Sequence, residues 1–381
     1  MVASRSAATR RAHLCAIAMF GLPACAPDAP VHAAWNPVDA RVAPLALGRR
    51  ARPLLDVDAD AFAQSSAALV QTGCDRARPS PSSFLHVLRL CGPDGAVRLQ
   101  GRETALLAPF FDDALGRRVF GDSIASRTRY GARYRVRSDL FPTARGVPEW
   151  HLTQTLATCA ELGVPLTREL RLEGGAVPLR AVLADTLAGF TIDAPEPEWT
   201  ALALIHYLPP HTGWTNRFGQ RYAFDDLAEL LLAQSPTLRP CAGVHVYQTL
   251  ILMLRAHALH PILKAPVHDA VQSRVRRWTE HALANQRVDG SFGRGWWRGP
   301  AEGPSTRGGA DDVPDAALVA TSHLAEAFLY LPAEVPVADA ALRRAGEWLL
   351  REWTRPRAAS DVAAEFCPLT HAGCVIRHLM R

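Results

Sequence analysis

The chain has little lysine, little net charge and, past its first residues, no long hydrophobic run. Lys264 is the single lysine among 42 basic side chains, the rest being arginine. That skew reads as genome composition, because 37 acidic residues nearly cancel it and leave +5. Removing the leader's Arg5, Arg10 and Arg11 lowers +5 to +2. A surface that grips phosphate backbones needs a larger basic excess, so nucleic acid is excluded as an expected partner. No run of about 18 apolar residues follows the leader, so no membrane-spanning helix is expected. Disorder throughout is excluded as well, since 48% of the 381 residues are apolar and 21% charged, enough to build a sizeable core.

The leader has the parts of an export signal. Residues 1–24 hold a basic start ending at Arg10-Arg11, an apolar run from Leu14 to Leu22, then small residues. The run closes on Leu22-Pro23-Ala24-Cys25, which resembles a bacterial lipobox and makes Cys25 the expected lipidation site. Cleavage near Val31-His32-Ala33 is the alternative. The expected location is therefore outside the cytoplasm, secreted or tethered by an N-terminal lipid as the sole membrane contact. Residues 25–53 are rich in Pro and Ala and suit a tether. Six cysteines remain beyond Cys15 and Cys25, namely Cys74, Cys91, Cys159, Cys241, Cys367 and Cys374. An exported chain can pair some of them, with no connectivity legible from spacing.

Residues 54–147 read as a small α+β segment. A short helix is expected over 61–70 and another over 104–115. Between them Phe84 to Leu90 and Ala96 to Leu99 flank Gly92-Pro93-Asp94-Gly95, the pattern of a β-hairpin and its turn. From residue 148 to 381, apolar residues recur at helical spacing over 149–162, 176–189, 196–208, 224–234, 242–259, 266–287, 313–331, 337–354 and 368–380. Pro148, Pro178, Pro197, Pro314 and Pro336 stand near segment starts, where a missing N–H costs least.

These helices repeat. His151-Leu152-Thr153-Gln154-Thr155-Leu156 matches His245-Val246-Tyr247-Gln248-Thr249-Leu250 at His, Gln, Thr and Leu. Half the separation, about 47 residues, lands on Glu198, and His323 and His371 stand in what look like equivalent places further on. His323 falls in the middle of its segment. Helices alternating at a fixed period make α/α hairpins, which can close into a barrel with five inner helices marked His, Glu, His, His and His at one mouth. The expected fold is all-α, an α/α toroid of roughly 47-residue repeats behind a small segment containing a β-hairpin.

Gln286-Arg287-Val288-Asp289-Gly290-Ser291-Phe292 resembles the Gln-x-x-x-Gly-x-aromatic repeat of the α/α-toroid superfamily, which includes terpenoid cyclases and protein prenyltransferases. The resemblance implies the toroid and says little of chemistry. The acidic signature of the cyclases needs a further Asp, and Gly309-Ala310-Asp311-Asp312-Val313 departs from it.

His151, Glu198, His245, His323 and His371 are the candidate catalytic residues. A helix N-terminus favours neutral imidazole, the form that accepts a proton or binds a metal. His245, His323 and His371 are accordingly the candidate ligands of a divalent transition metal. The alternative is that each histidine packs locally and recurs because the hairpin recurs. Cys367-x3-His371-x2-Cys374-x3-His378 shares one helix face, able to ligate but preferred as core or part-exposed packing. Asp225-Asp226-Leu227-Ala228-Glu229 is read as an ordinary helix start rather than a cation site.

Trp214, Asn216, Arg217 and Tyr222 in one loop, Trp296 and Trp297 in another, with Tyr247, Asp311 and Asp312, form the expected substrate surface, aromatics for stacking beside polar groups. The reading is an exported protein acting on acidic glycans as a lyase, hydrolase or epimerase, as in toroidal glycan-active enzymes. The lyase version gives His245 the proton at C5 and Arg217 or a metal the carboxylate; the hydrolase version pairs Glu198 with Asp311 or Asp312. An isoprenoid- or lipid-binding toroid is the first alternative, a surface scaffold without catalysis the second.

Overall fold

A computed structural model describes residues 53–74, 79–99, 101–135, 151, 153–194, 196–210, 213–238, 241–299 and 314–381. The leader, Cys25, all of the tether but its last residue, Asp311 and Asp312 lie outside the described residues. The fold is mostly helical with small antiparallel hairpins. Helices α1 (Ala59–Cys74) and α2 (Pro81–Cys91) lead to the hairpin of β1 (Ala96–Leu99) and β2 (Arg102–Ala105). Then come α3 (Ala108–Phe111), α4 (Asp113–Phe120) and the hairpin of β3 (Ala125–Thr128) and β4 (Gly131–Tyr134). Helix α5 (Gln154–Glu161), the hairpin of β5 (Glu169–Leu172) and β6 (Gly175–Pro178), α6 (Arg180–Gly189) and α7 (Pro197–Tyr207) follow. After the two-residue strands β7 (Trp214–Thr215) and β8 (Arg221–Tyr222), the chain is helical. Its elements are α8 (Phe224–Leu232), α9 (Val244–Leu259), α10 (Ala265–Ala284), α11 (Pro314–Leu329), α12 (Asp339–Thr354), α13 (Ala359–Ala364) and α14 (Phe366–Leu379).

Sequence composition sorts the helices by depth. In α7 every residue from Pro197 to Tyr207 is buried, and α9 is buried almost throughout. Helix α10 buries one stripe, Val271, Val275, Trp278, Thr279 and Ala282, and α12 a similar one at Ala341, Leu342, Ala345, Gly346 and Leu349. A helix apolar all round sits inside, and one with a single apolar stripe lies against it from outside. Among the deep helices α5 packs on α7, α7 on α9, α9 on α11, α11 on α14, and α14 on α2, which also meets α5. Helix α2 belongs to the segment read as a small N-terminal unit, yet one hydrophobic core runs from Leu54 to Leu379, and the Leu54 N–H donates to the Leu379 carbonyl at 2.7 Å.

The stretch Phe84 to Leu90, read as a strand, is helix α2. Ser80 caps it, the hydroxyl accepting from the Ser83 N–H at 3.1 Å, with Pro81 in the first turn. All but Ser83 and Arg89 of residues 81–90 are buried. A segment buried on all sides carries no period by which helix and strand can be told apart. Strand β1 does form where expected, at Ala96–Leu99, but its partner is Arg102–Ala105, which displaces the start of the helix read over 104–115. Residues 125–134, given no element from sequence, supply β3 and β4. Strand β6 occupies the first residues of the helix read over 176–189.

The Gln286 motif is a clamp. The Gln286 side-chain amide donates to the carbonyls of Gly290 at 3.0 Å and Ala341 at 2.9 Å, tying the end of α10 to α12. The Phe292 N–H donates to the Thr321 hydroxyl on α11. Gly290 has φ +97°, and a Cβ there would meet the Arg344 carbonyl oxygen at 2.3 Å, so glycine is required.

Candidate metal centre

The deep helices and the residue stretch before α5 bring a row of rings together. His86 comes from α2, His151 from the residues before α5, Trp199 from α7, His245 from α9, His323 from α11 and His371 from α14. Their rings touch in sequence: His151 stacks on Trp199 with centroids 5.4 Å apart, and Trp199 lies 4.5 Å from His245. His245 lies 5.2 Å from His323, His323 3.8 Å from His371, and His371 5.5 Å from His86. His245, His323 and His371 therefore meet, His86 joins them from outside the repeat, and His151 reaches His245 only through the ring of Trp199.

Three of these rings have their outer nitrogen fixed. His86 Nδ1 donates to the Ser82 carbonyl at 2.7 Å and His323 Nδ1 to the Val319 carbonyl at 2.8 Å, each one helical turn back. A carbonyl only accepts, so the proton sits on Nδ1 and Nε2 keeps its lone pair in the neutral ring. His371 Nδ1 is bonded to the Glu326 carboxylate. Its Nε2 is buried and has no hydrogen-bond partner. Leaving such a nitrogen orphaned costs about 1–3 kcal/mol. Holding one imidazole nitrogen by a carboxylate or carbonyl so that the other faces inward is the arrangement that orients metal-bound histidines.

Two thiols complete the cluster. Cys367, one turn before His371 on α14, has Sγ 3.7 Å from His323 Nε2. Cys241 stands just before α9. Ligand atoms of His86, Cys367 and His371 all lie within 4.8 Å of one another, as do those of Cys241, His323 and Cys367. The backbone at Cys241 is constrained: Cys241 (φ 52°), Ala242 (φ 55°) and Gly243 (φ 73°) are successive left-handed residues. The Trp296 indole N–H donates to the Ala242 carbonyl at 2.9 Å. Among the described residues the non-glycine left-handed positions are Thr153, Glu196, Cys241 and Ala242, all at the entrances of α5, α7 and α9. Such conformations cost about 1–3 kcal/mol each and persist where surrounding structure imposes them.

Electrostatics favour neutral imidazole at His86, His245 and His371 and thiolate at Cys241, while the hydrogen bond to Cys241 and burial push the Cys367 thiol well up. Burial lowers His86 to about 4, and burial also lowers His245 and His371, all towards neutral imidazole. The hydrogen bond from Cys367, together with His323 and His245, holds the Cys241 thiol well below its ordinary value, so this pair favours one thiolate. His323 is raised despite its burial, by Cys241 beside it. Behind the centre, Glu326 is kept ionised against burial by Arg89 and His371. Arg89, one turn past His86, bridges Glu161 at 3.0 Å and Glu326 at 3.6 Å. Burial pushes Glu161 up to about 7.

The other residues singled out from sequence fall elsewhere. His151 precedes α5 instead of lying inside it, and its Nδ1 pairs with the Glu196 carboxylate at 2.7 Å. Glu198 is buried in the first turn of α7, with its charge felt by His151. The Thr200 hydroxyl donates to that of Thr153 at 3.2 Å, 47 residues away.

Trp214 and Tyr222 are buried against Phe190. Buried Asn216 closes its own turn, donating to the Phe190 carbonyl at 2.8 Å and accepting from the N–H groups of Phe218 and Gln220 at 3.0 Å each. Exposed Arg217 lies over the Phe218 ring. Tyr247 is a core residue bonded to the Thr279 hydroxyl at 2.6 Å, and Trp296 is fully buried. Trp297 is half-buried beneath Arg298. Trp214, Tyr222, Tyr247 and Trp296 thus present no open face for stacking. Asp225 and Asp226 behave as a helix start, accepting from the N–H groups of Lys264 and Ala223.

Sequence reasoning missed His86, Cys241 and Glu326. Ser80-Pro81 is the helix-start signal that would have placed His86 on a helix. The described cysteines are all free thiols, so the pairing open from composition is not formed among them. No protein-family model, no curated protein and no solved structure matches the chain.

Proposed function

We propose that this protein binds a soft transition metal, zinc foremost, between its deep helices, and that its activity is metal-assisted. The observation that carries the reading is His371, with Nδ1 held by Glu326 and its orphaned, buried Nε2 in a cluster with Cys367 and His86. Thiolate with imidazole is the donor set that selects zinc or copper over magnesium or calcium, which take oxygen. Cys241 and Cys367 are part-exposed, which favours an ion reachable from solvent over one sealed in the core. Bound there, the ion would polarise an oxygen or lower the pKa of a coordinated water.

The order of packing from α2 through α5, α7, α9, α11 and α14 back to α2 supports the α/α-toroid reading, with α8, α10 and α12 outside. The leader and Cys25 support a cell-envelope location. Acidic glycans are the substrate class proposed from sequence, resting on that location and on exposed Arg217. A metal-loaded preparation that turns over none of a panel of uronate glycans would remove them.

The experiment is elemental analysis of the full chain, purified under reducing conditions without a polyhistidine tag. Stoichiometric zinc or copper is expected, and a folded His371→Ala variant should lack it. Wild-type protein that stays metal-free after incubation with zinc and with copper(I) overturns the reading.

A further inference from the structure

One ion is not enough to explain the donors. A tetrahedral site takes four ligands, fewer where a position stays open for water or substrate. The centre offers His86, His245, His323, His371, Cys241 and Cys367, six donors from α2, α9, α11, α14 and the turn before α9. They do not form one set. His86 and His371 group with Cys367, and Cys241 and His323 group with Cys367, while no triad contains both His86 and Cys241. Cys367 is common to both. The two neighbouring rings of His323 and His371, 3.8 Å apart and tilted by 33°, belong to different triads.

The shared residue is a thiol whose proton metal binding would displace. A thiolate sulfur has lone pairs enough to bind two ions at once, whereas an imidazole Nε2 has one and binds a single ion. Of the six donors only the two sulfurs can bridge, and the one at the overlap is a sulfur. Resting on the metal reading above, we propose that the centre is dinuclear, with Cys367 bridging one ion held by His86 and His371 and a second held by Cys241 and His323. His245, within hydrogen-bond reach of Cys241, lies outside both triads, so each position keeps an open coordination place for water or substrate. The bridging thiolate offsets repulsion between the two cations. Glu326, on the outer nitrogen of His371, adds negative charge to the first position.

The test uses the reduced full chain. Zinc titration followed by native mass spectrometry should saturate at two ions in the wild type, and at one in His86→Ala and in Cys241→Ser. Cys367→Ser should lose tight binding at both positions. Circular dichroism identifies any variant that fails to fold. Cadmium NMR of the wild type needs no variant: two resonances, coupled to each other through the shared sulfur, are expected. A wild type that saturates at one ion with one cadmium resonance overturns the dinuclear proposal and leaves the metal reading standing. Two uncoupled resonances overturn the bridge. A wild type that binds no ion removes both readings.

Discussion

The His/Cys centre and the Trp214 to Tyr222 loop look alike in sequence, each mixing rings with polar side chains, and the structure separates them by where the hydrogen bonds go. In the loop the polar arms of Asn216 are spent on its own turn and on the Phe190 carbonyl, and the Tyr222 hydroxyl donates to the Gln220 side chain at 3.0 Å. In the centre His86, His323 and His371 spend one nitrogen on the scaffold and leave the other for the cluster. A group whose bonds are all consumed locally holds the fold, and a group with one site left over can hold a ligand. Residue type marks both regions equally, so composition could not tell them apart.

The sharpest way to break this comparison is to exchange the expected losses. Removing a ligand from the centre, as in Cys367→Ser, should abolish tight metal binding, read by chelator competition, with the loop untouched. If metal survives while Asn216→Ala loses it, the assignment of roles is reversed. The next largest effect concerns the support behind the ligands. Glu326→Gln should weaken metal affinity by about 10–100-fold, as loss of an orienting carboxylate does elsewhere, without removing a ligand. Affinity unchanged in that variant would show that Glu326 serves only the Arg89 ion pair.

Asn216→Ala sharpens the other side. It strands two N–H groups and the Phe190 carbonyl, and should lower unfolding stability by about 1–3 kcal/mol while metal content stays at the wild-type level. A denaturant melt with elemental analysis on the same sample checks both halves.

The smallest effect lies away from both regions. Asp113 accepts from the Ser123 hydroxyl at 2.7 Å, the Ile124 N–H at 3.0 Å and Arg117 at 2.9 Å, and these hold its carboxyl below the ordinary range against the opposing effect of burial. A carboxyl lowered by folding stabilises the fold above its unfolded pKa, and the gain fades as pH falls through the folded value. Melting temperature should therefore decline below about pH 4, and Asp113→Asn should flatten that slope. An identical slope in the variant would place the acid sensitivity elsewhere.

Much of this was legible in advance. The long helices from α7 to α14 fall within a few residues of where periodicity put them, since a stripe at helical spacing survives in sequence whatever it packs against. The roughly 47-residue recurrence picked out His245, His323 and His371, which do meet. His323 sits deep in its helix, out of step with the others, and still reaches them because ring contact depends on where helices cross, not on register from their starts. The loss came at α2. Read as a strand, Phe84 to Leu90 hid His86, and with it the sixth helix and a second group of donors. Cys241 was one cysteine among six, with no local pattern to mark it.

By itself, the sequence determined which segments are helical, which of those are apolar on every side, and which residue types recur along them. Those properties follow from side chains within one or two turns of each other. The tertiary structure alone decided which lone pairs converge, because Ser82 to His86 is a local contact but His86, Cys241, His323 and Cys367 are brought together from four parts of the chain. It also decided which polar groups were left without a partner. That is set by the geometry of whole helices against one another, and no window of sequence contains it.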